Sequence, residues 1–191
     1  MKALIISVGT GTQQTKQVAK NLANALAYSI KHHNPDKTFF ITTKESQETT
    51  LPLILPQVKV QNYETIVIKD PDNVQDIYET LQPQIQKIKQ NFSQTVIDYT
   101  SGTKAMTAAL AILATIYEAS ELSYITGKRK GGIVQPGTEQ IVSVRPYFAT
   151  TQQKIKTAKE FFNKNQFSAA IAILQQIRKT TQDPGIINER K

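Results

Sequence analysis

The chain has 191 residues, is 39% hydrophobic, carries 23 lysines and arginines against 15 acidic residues for a formal charge of +8, and contains no cysteine. This length suits one α/β domain with a small appendage, and the missing cysteine excludes disulfides, thiolate catalysis and cysteine-based zinc sites. The positive balance favours an anionic partner, but the lysines are scattered and no run alternates cations with aromatics, so a compact anionic ligand ranks above an extended nucleic acid.

Ala3 to Val8 reads as an apolar first strand and is too short for a signal peptide. A Gly9-Thr10-Gly11-Thr12 loop follows, and then a helix from Gln13 to about Lys31. The two glycines open a G-x-G-x-x-G pattern, but position 14 is glutamine, so a dinucleotide site is not specified. His32 and His33, the two histidines, fall at the far end of this helix. At 1.5 Å per residue they lie roughly 30 Å from the loop, which suits helix-dipole partners better than acid–base catalysts. Thr38 to Thr42 reads as a second strand. Lys44 to Asn62 shows no clear period and holds Pro52 and Pro56, so it reads as a loop with room for a short helix. Glu64 to Lys69 is a β-branched third strand, and Asp70-Pro71-Asp72 is a turn and N-cap. Apolar residues from Val74 to Phe92 then recur at helical spacing, with Pro83 expected to kink or divide the helix.

Residues 96 to 106 carry the most chemistry. The strand Thr95 to Ile97 runs into Asp98, a tight loop follows, and an apolar helix extends from Lys104 to Glu118. The loop offers the hydroxyls of Thr100, Ser101 and Thr103, the open backbone of Gly102 and one cation, which together suit a phosphate or ribose at a helix N-terminus. Lys104 faces the positive end of the helix dipole. It is either a surface lysine on an ordinary turn or one that shares an anion with that helix end. The loop lacks the glycine spacing and the Gly-Lys-Ser/Thr order of a P-loop. Two strand–Gly/Thr loop–helix units would set both loops at the carboxyl ends of parallel strands, where such sheets bind ligands. The helix is apolar nearly all round, although one stripe suffices to cover a sheet. Its outer side is expected to be buried, by a second copy about a two-fold axis or by the C-terminal helices. It falls short of the roughly 20 residues that span a bilayer, so a cytoplasmic protein with no membrane partner is expected.

Glu121 to Thr126 reads as a fifth strand, Gly127 to Gly132 as a basic glycine loop, and Ile133 to Val144 as a hairpin turning at Pro136-Gly137. The alternation of strands and helices predicts an α/β fold, a doubly wound, mainly parallel, Rossmann-like sheet. Pro146 closes that pattern. From Thr151 the spacing is purely helical and predicts a C-terminal helical hairpin turning near Asn163-Lys164-Asn165. The expected division is a ligand-binding domain over 1–148 and a helical appendage over 149–191.

Ser7 to Thr12 after the first strand, and Asp98-Tyr99-Thr100-Ser101-Gly102-Thr103-Lys104-Ala105-Met106 after the fourth, resemble the CRISPR-associated Rossmann-fold (CARF) sensor domains of type III CRISPR systems. That family's second motif reads Asp-aromatic-Thr-Gly-Gly-Thr-Lys-x-Met, and Ser101 stands where its first glycine would be. The resemblance covers roughly residues 1 to 148. It implies a homodimer that binds cyclic oligoadenylate, with cyclic tetra-adenylate the first choice, across its two-fold axis in antiviral defence. Gly9, Thr10, Gly11, Thr12 and Gln13 would meet the ring from the first loop. Thr100, Ser101, Gly102, Thr103, Lys104 and Met106 would do so from the second. Lys128 and Arg129 would close over it, unless they form a solvated basic loop. Asp98 would orient the second loop rather than touch an anion.

Some members of this family also cut their ring. The ribose 2′-OH attacks the adjacent phosphate, a reaction promoted by positioning and by charge stabilisation, for which Thr10, Thr12, Ser101, Lys104, Lys128 and Arg129 are suitable types. No cofactor and no metal are expected. Beyond residue 148 there is no Arg-x-x-x-x-His and no carboxylate cluster of a nuclease. A stand-alone ring nuclease and a sensor with a missing C-terminal effector both remain open. The competing classes are a ligand-responsive nucleic-acid-binding regulator and a mononucleotide-binding enzyme.

Overall fold

Six of the seven residues of the first strand are fully covered, so it must lie inside a sheet that is packed on both faces. The computed structural model describes residues 1–11, 16–58, 60, 62–130 and 133–181. In chain order its elements are β1 (Lys2–Val8), α1 (Lys16–His33), β2 (Lys37–Thr42), α2 (Lys44–Thr49), α3 (Leu51–Ile54), a 3-10 turn (Leu55–Gln57), β3 (Tyr63–Val67), α4 (Val74–Asn91), β4 (Gln94–Asp98), α5 (Lys104–Ile116), β5 (Glu121–Thr126), β6 (Arg129–Lys130), β7 (Ile133–Val134), β8 (Gln140–Val144), α6 (Phe148–Asn163) and α7 (Phe167–Thr181). They form two compact units, Met1–Arg145 and Pro146–Lys191.

The first unit is the expected α/β sheet. Its strand order is β3-β2-β1-β4-β5-β8. The first five strands run parallel, and β8 returns antiparallel along β5. The winding direction reverses between β1 and β4, which opens a crevice at their carboxyl ends. Alternate residues of the strands feed two cores. Ala3, Ile5, Phe39, Ile41 and Ile97 pack under α4 and α5, while Leu4, Ile6, Val8, Phe40 and Val96 pack under α1 and α3.

Three local expectations need correction. The segment after β2 is helical rather than loop. The Thr43 hydroxyl accepts from Ser46 N at 3.1 Å, and the Ser46 hydroxyl accepts from Thr43 N at 2.9 Å, which caps α2. Pro52 and Pro56 each fall in a first turn, where a missing N–H is not needed. Pro83 does not divide α4, which runs unbroken for 18 residues. The ring lies on the exposed side, and the buried stripe Ile77, Leu81, Ile85 and Ile88 holds the helix to the sheet. The strands flanking Pro136-Gly137 do not pair with each other: β7 pairs with β6, and β8 pairs with β5. A Cβ on Gly127 would lie 2.5 Å from Thr138 O. Only glycine therefore lets the two chain ends of this protrusion approach so closely.

The second unit is a helical hairpin. Asn165 takes the left-handed conformation at φ 59, its N–H donates to Phe162 O at 3.0 Å, and Gln166 N donates to Phe161 O at 2.9 Å. This paired closure ends α6 and turns the chain into α7. Phe148, Phe162, Phe167, Ile171 and Leu174 stay exposed.

A polar seam crosses the first unit beneath the carboxyl ends of its strands. Asp98 is fully buried and accepts from the Ser29 hydroxyl on α1 and from Thr100 N at 2.8 Å. Burial raises its pKa, and hydrogen bonds from Ser29, Thr100 and Ser123 oppose the rise. His33 places Nε2 3.0 Å from the Ser123 hydroxyl, and Glu121 lies 3.9 Å from its Nδ1. Burial lowers the His33 pKa from 6.5 to about 4, with Glu121 partly opposing. His33 is therefore a buried neutral group at pH 7, not a charged partner of the α1 dipole. The unfolded chain protonates His33 near 6.5 and the folded one only near 4. Its contribution to stability is whole above the upper value and is lost as pH falls towards the lower, by on the order of 2–3 kcal/mol. Urea unfolding at pH 7 and pH 4.5 should show His33→Gln losing less stability on acidification than the parent. An equal loss in both would contradict this account.

Candidate functional site

The loops after β1 and β4 meet at the crevice. The Ser7 hydroxyl donates to Ser101 O, and Gly9 N donates to the Ser101 hydroxyl at 2.8 Å. A Cβ on Gly9 would lie 2.8 Å from Gly102 N and 3.0 Å from the Ser101 hydroxyl oxygen. The contact therefore requires glycine at position 9. Gly102 takes φ +103, which lets the chain turn tightly into α5. Thr103 caps α5 by accepting from Met106 N at 3.2 Å, and its hydroxyl also donates to Pro71 O in the β3–α4 loop. Thr100 accepts from Ile125 N at 2.9 Å. The loops after β1, β3 and β4 and the end of β5 are thus one bonded rim. Like any helix start, α5 leaves first-turn N–H groups without intrahelical acceptors; Thr103 takes that of Met106, and the positive end of the helix dipole lies at this rim.

The rim encloses a cavity of about 930 Å³ over the carboxyl ends of the parallel strands. Gly9, Thr10 and Gly11 line it from the first loop, and Thr100, Ser101, Gly102 and Thr103 from the second, with Met106 behind them. These are groups that hold phosphate and ribose by backbone N–H and hydroxyl.

Residues 13–148 match the family description of the Card1 CARF domain. The chain belongs to that family. This CARF chain also resembles solved structures. It aligns over 95% of its length with a type III CRISPR defence DNA nuclease activated by cyclic oligoadenylate, at 13% identity and TM-score 0.50, covering 30% of that chain. It aligns over 86% with Can2 from Sulfobacillus thermosulfidooxidans in complex with cyclic tetra-adenylate, at 10% identity and TM-score 0.47, covering 49% of that chain. It aligns over 84% with VC1899 from Vibrio cholerae, at 8% identity and TM-score 0.46, covering 45% of that chain. The chain spans less than half the length of each, and at 13% identity the likeness to the first is one of fold. No curated protein matches the chain.

The CARF cavity does not gather every residue that the sequence singled out. Arg129 lines it from β6. Lys104 is exposed at the start of α5 and Lys128 is exposed beyond β5; neither is part of the lining. Thr12, Gln13 and Gln14 lie outside the described residues. Asp98 lies below the cavity and orients the loop through Thr100. Sequence reasoning missed Lys44 and Lys69, which line the cavity from the ends of β2 and β3. It also missed the apolar wall of Val18, Leu22 and Ala25 on α1. Each lysine lies two residues beyond its strand, at the carboxyl ends where parallel sheets bind ligands, but no motif in the sequence marks that place.

The Ser101 side chain bridges the two loops through Gly9. Ser101→Ala should lower the unfolding free energy by about 1 kcal/mol through the lost bond. Gly9→Ala should lower it by about 1–3 kcal/mol, because a methyl is forced into a closed contact. Urea titration measures both, and an unchanged Gly9→Ala would show that the loops are not in contact.

Proposed function

We propose that this CARF chain binds cyclic oligoadenylate as a homodimer, with cyclic tetra-adenylate as the ring, in type III CRISPR signalling. The observation that carries the reading is the family match over residues 13–148, joined to a cavity lined by the Gly/Thr loops that the family resemblance identifies with ring binding. A ring with two-fold symmetry offers each of two chains the same phosphates and riboses. Support for a second copy comes from α5. Ile112 is 44% and Ile116 is 54% exposed; four residues apart, they share one face of the helix. A two-fold pair about α5 would cover them and bring the exposed Lys104 of each chain towards the shared ligand. Residues 1–148 would bind the ring, and residues 149–191 would be a helical appendage, the start of a helical or effector region.

Cleavage is the second part of the proposal. The 2′-oxygen attacks the adjoining phosphorus, the 5′-oxygen leaves with a proton, and a 2′,3′-cyclic phosphate and a 5′-hydroxyl remain. Thr10 and Arg129 line the cavity and can position the attacking group and meet phosphoryl charge. The Ser101 hydroxyl is occupied by Gly9 N and serves to hold the loops.

Calorimetry with cyclic tri-, tetra- and hexa-adenylate in metal-free buffer should show one ring per two chains. Chromatography of the same samples reads cleavage. Light scattering should give a dimer, and Ile112→Glu with Ile116→Glu should abolish both dimer and ring binding. Absence of binding to any ring, with weak binding to duplex DNA, would favour the nucleic-acid-binding class instead.

A further inference from the structure

The cavity is larger than one phosphate on two loops requires. Its volume is about 930 Å³, whereas a glycine loop at a helix start is enough for a single phosphoryl group. The surplus lies over the ends of β2 and β3. Thr42 pairs with Val67 in the parallel register, and Lys44 and Lys69 each follow two residues later. Neighbouring strands lie about 4.8 Å apart, and both lysines line the cavity from these adjacent chain ends. Among the described residues neither has an ion-pair partner. Glu45, the one carboxylate on the described lining, has an interaction of its own. Val18, Leu22 and Ala25 give the same cavity an aliphatic wall from α1.

Local structure fixes where the two lysines emerge. Lys44 directly follows Thr43, which the reciprocal bonds with Ser46 hold in place. Lys69 directly follows Ile68, whose N–H donates to Thr42 O at 2.7 Å. An aliphatic wall beside a pair of cations suits a nucleoside monophosphate, with the planar base on the wall and the phosphate on the ammonium groups.

We propose that the β2–β3 end of the cavity is a second subsite. It takes the nucleoside phosphate that adjoins the phosphate held on the Gly/Thr loops, and Lys44 and Lys69 are its anion partners. The proposal rests on the cyclic oligoadenylate reading. It names the side chains that meet the second of the two nucleotide units a tetra-adenylate ring offers each chain.

The test is titration of the full chain with cyclic tetra-adenylate at low and high salt, comparing the parent with Lys44→Ala/Lys69→Ala and Lys44→Arg/Lys69→Arg. Both lysines are exposed, so the variants should fold, which circular dichroism checks. The alanine pair should bind at least about tenfold more weakly, with a shallower salt dependence because two screened charges are gone. The arginine pair keeps both charges and should stay within about threefold of the parent. A parent that binds the ring while the alanine pair binds equally well, with the same salt dependence, overturns the subsite alone. A parent that binds no ring overturns the function on which the subsite rests, and the subsite with it.

Discussion

The contact between the loops after β1 and β4 is the constraint on which the rest of the site depends. Gly9 N–H donates to the Ser101 hydroxyl, and a side chain on Gly9 would strike the Gly102 backbone. Two short strands, each buried on both faces, deliver these loops to one point. The sheet order makes that point the place where the winding direction reverses. Once the loops touch, Thr103 can cap α5 and also reach the β3–α4 loop, and Thr100 can hold the end of β5. The cavity is what remains open above this closed floor.

The floor rests on a buried polar seam rather than on apolar packing alone. A buried carboxylate is costly unless its oxygens are satisfied. Asp98 meets that condition with Ser29 on α1 and the Thr100 backbone. It thereby joins the helix after the first loop to the start of the second. Ser123 and His33 continue the polar path across β5 towards the end of α1. The arrangement separates two tasks. Groups below the loops fix their shape, and groups above them, on the strand ends and the β6–β7 protrusion, line the cavity.

The parts legible in the sequence were those set by local pattern. The apolar runs of β1 and β4, the Gly/Thr loops behind them and the turn at Asn163 to Asn165 all carry short-range signals, and the fold class followed from their alternation. Helix α2 was not legible, because its capping box pairs Thr43 with a serine rather than the usual acidic or amide residue. The prolines at 52 and 56 also looked like breakers until their places in first turns were known. The pairing of β8 with β5 depends on a non-local register that no hairpin signal encodes. At the site, the glycines and hydroxyls could be named from one motif. Lys44 and Lys69 could not, since their meeting depends on the β2–β3 register. Lys104 stands beside a helix start, and the structure leaves it exposed and outside the cavity lining.

The central claim is that the two Gly/Thr loops of one chain form half of a symmetric ring site. A crystal structure of the chain with cyclic tetra-adenylate tests it most directly. The account predicts two chains in contact along α5 and one ring between them, with ring phosphates on the backbone of Gly9 to Gly11 and Ser101 to Thr103 in both copies. A ring seated away from these loops, or held whole by a single chain, would contradict it.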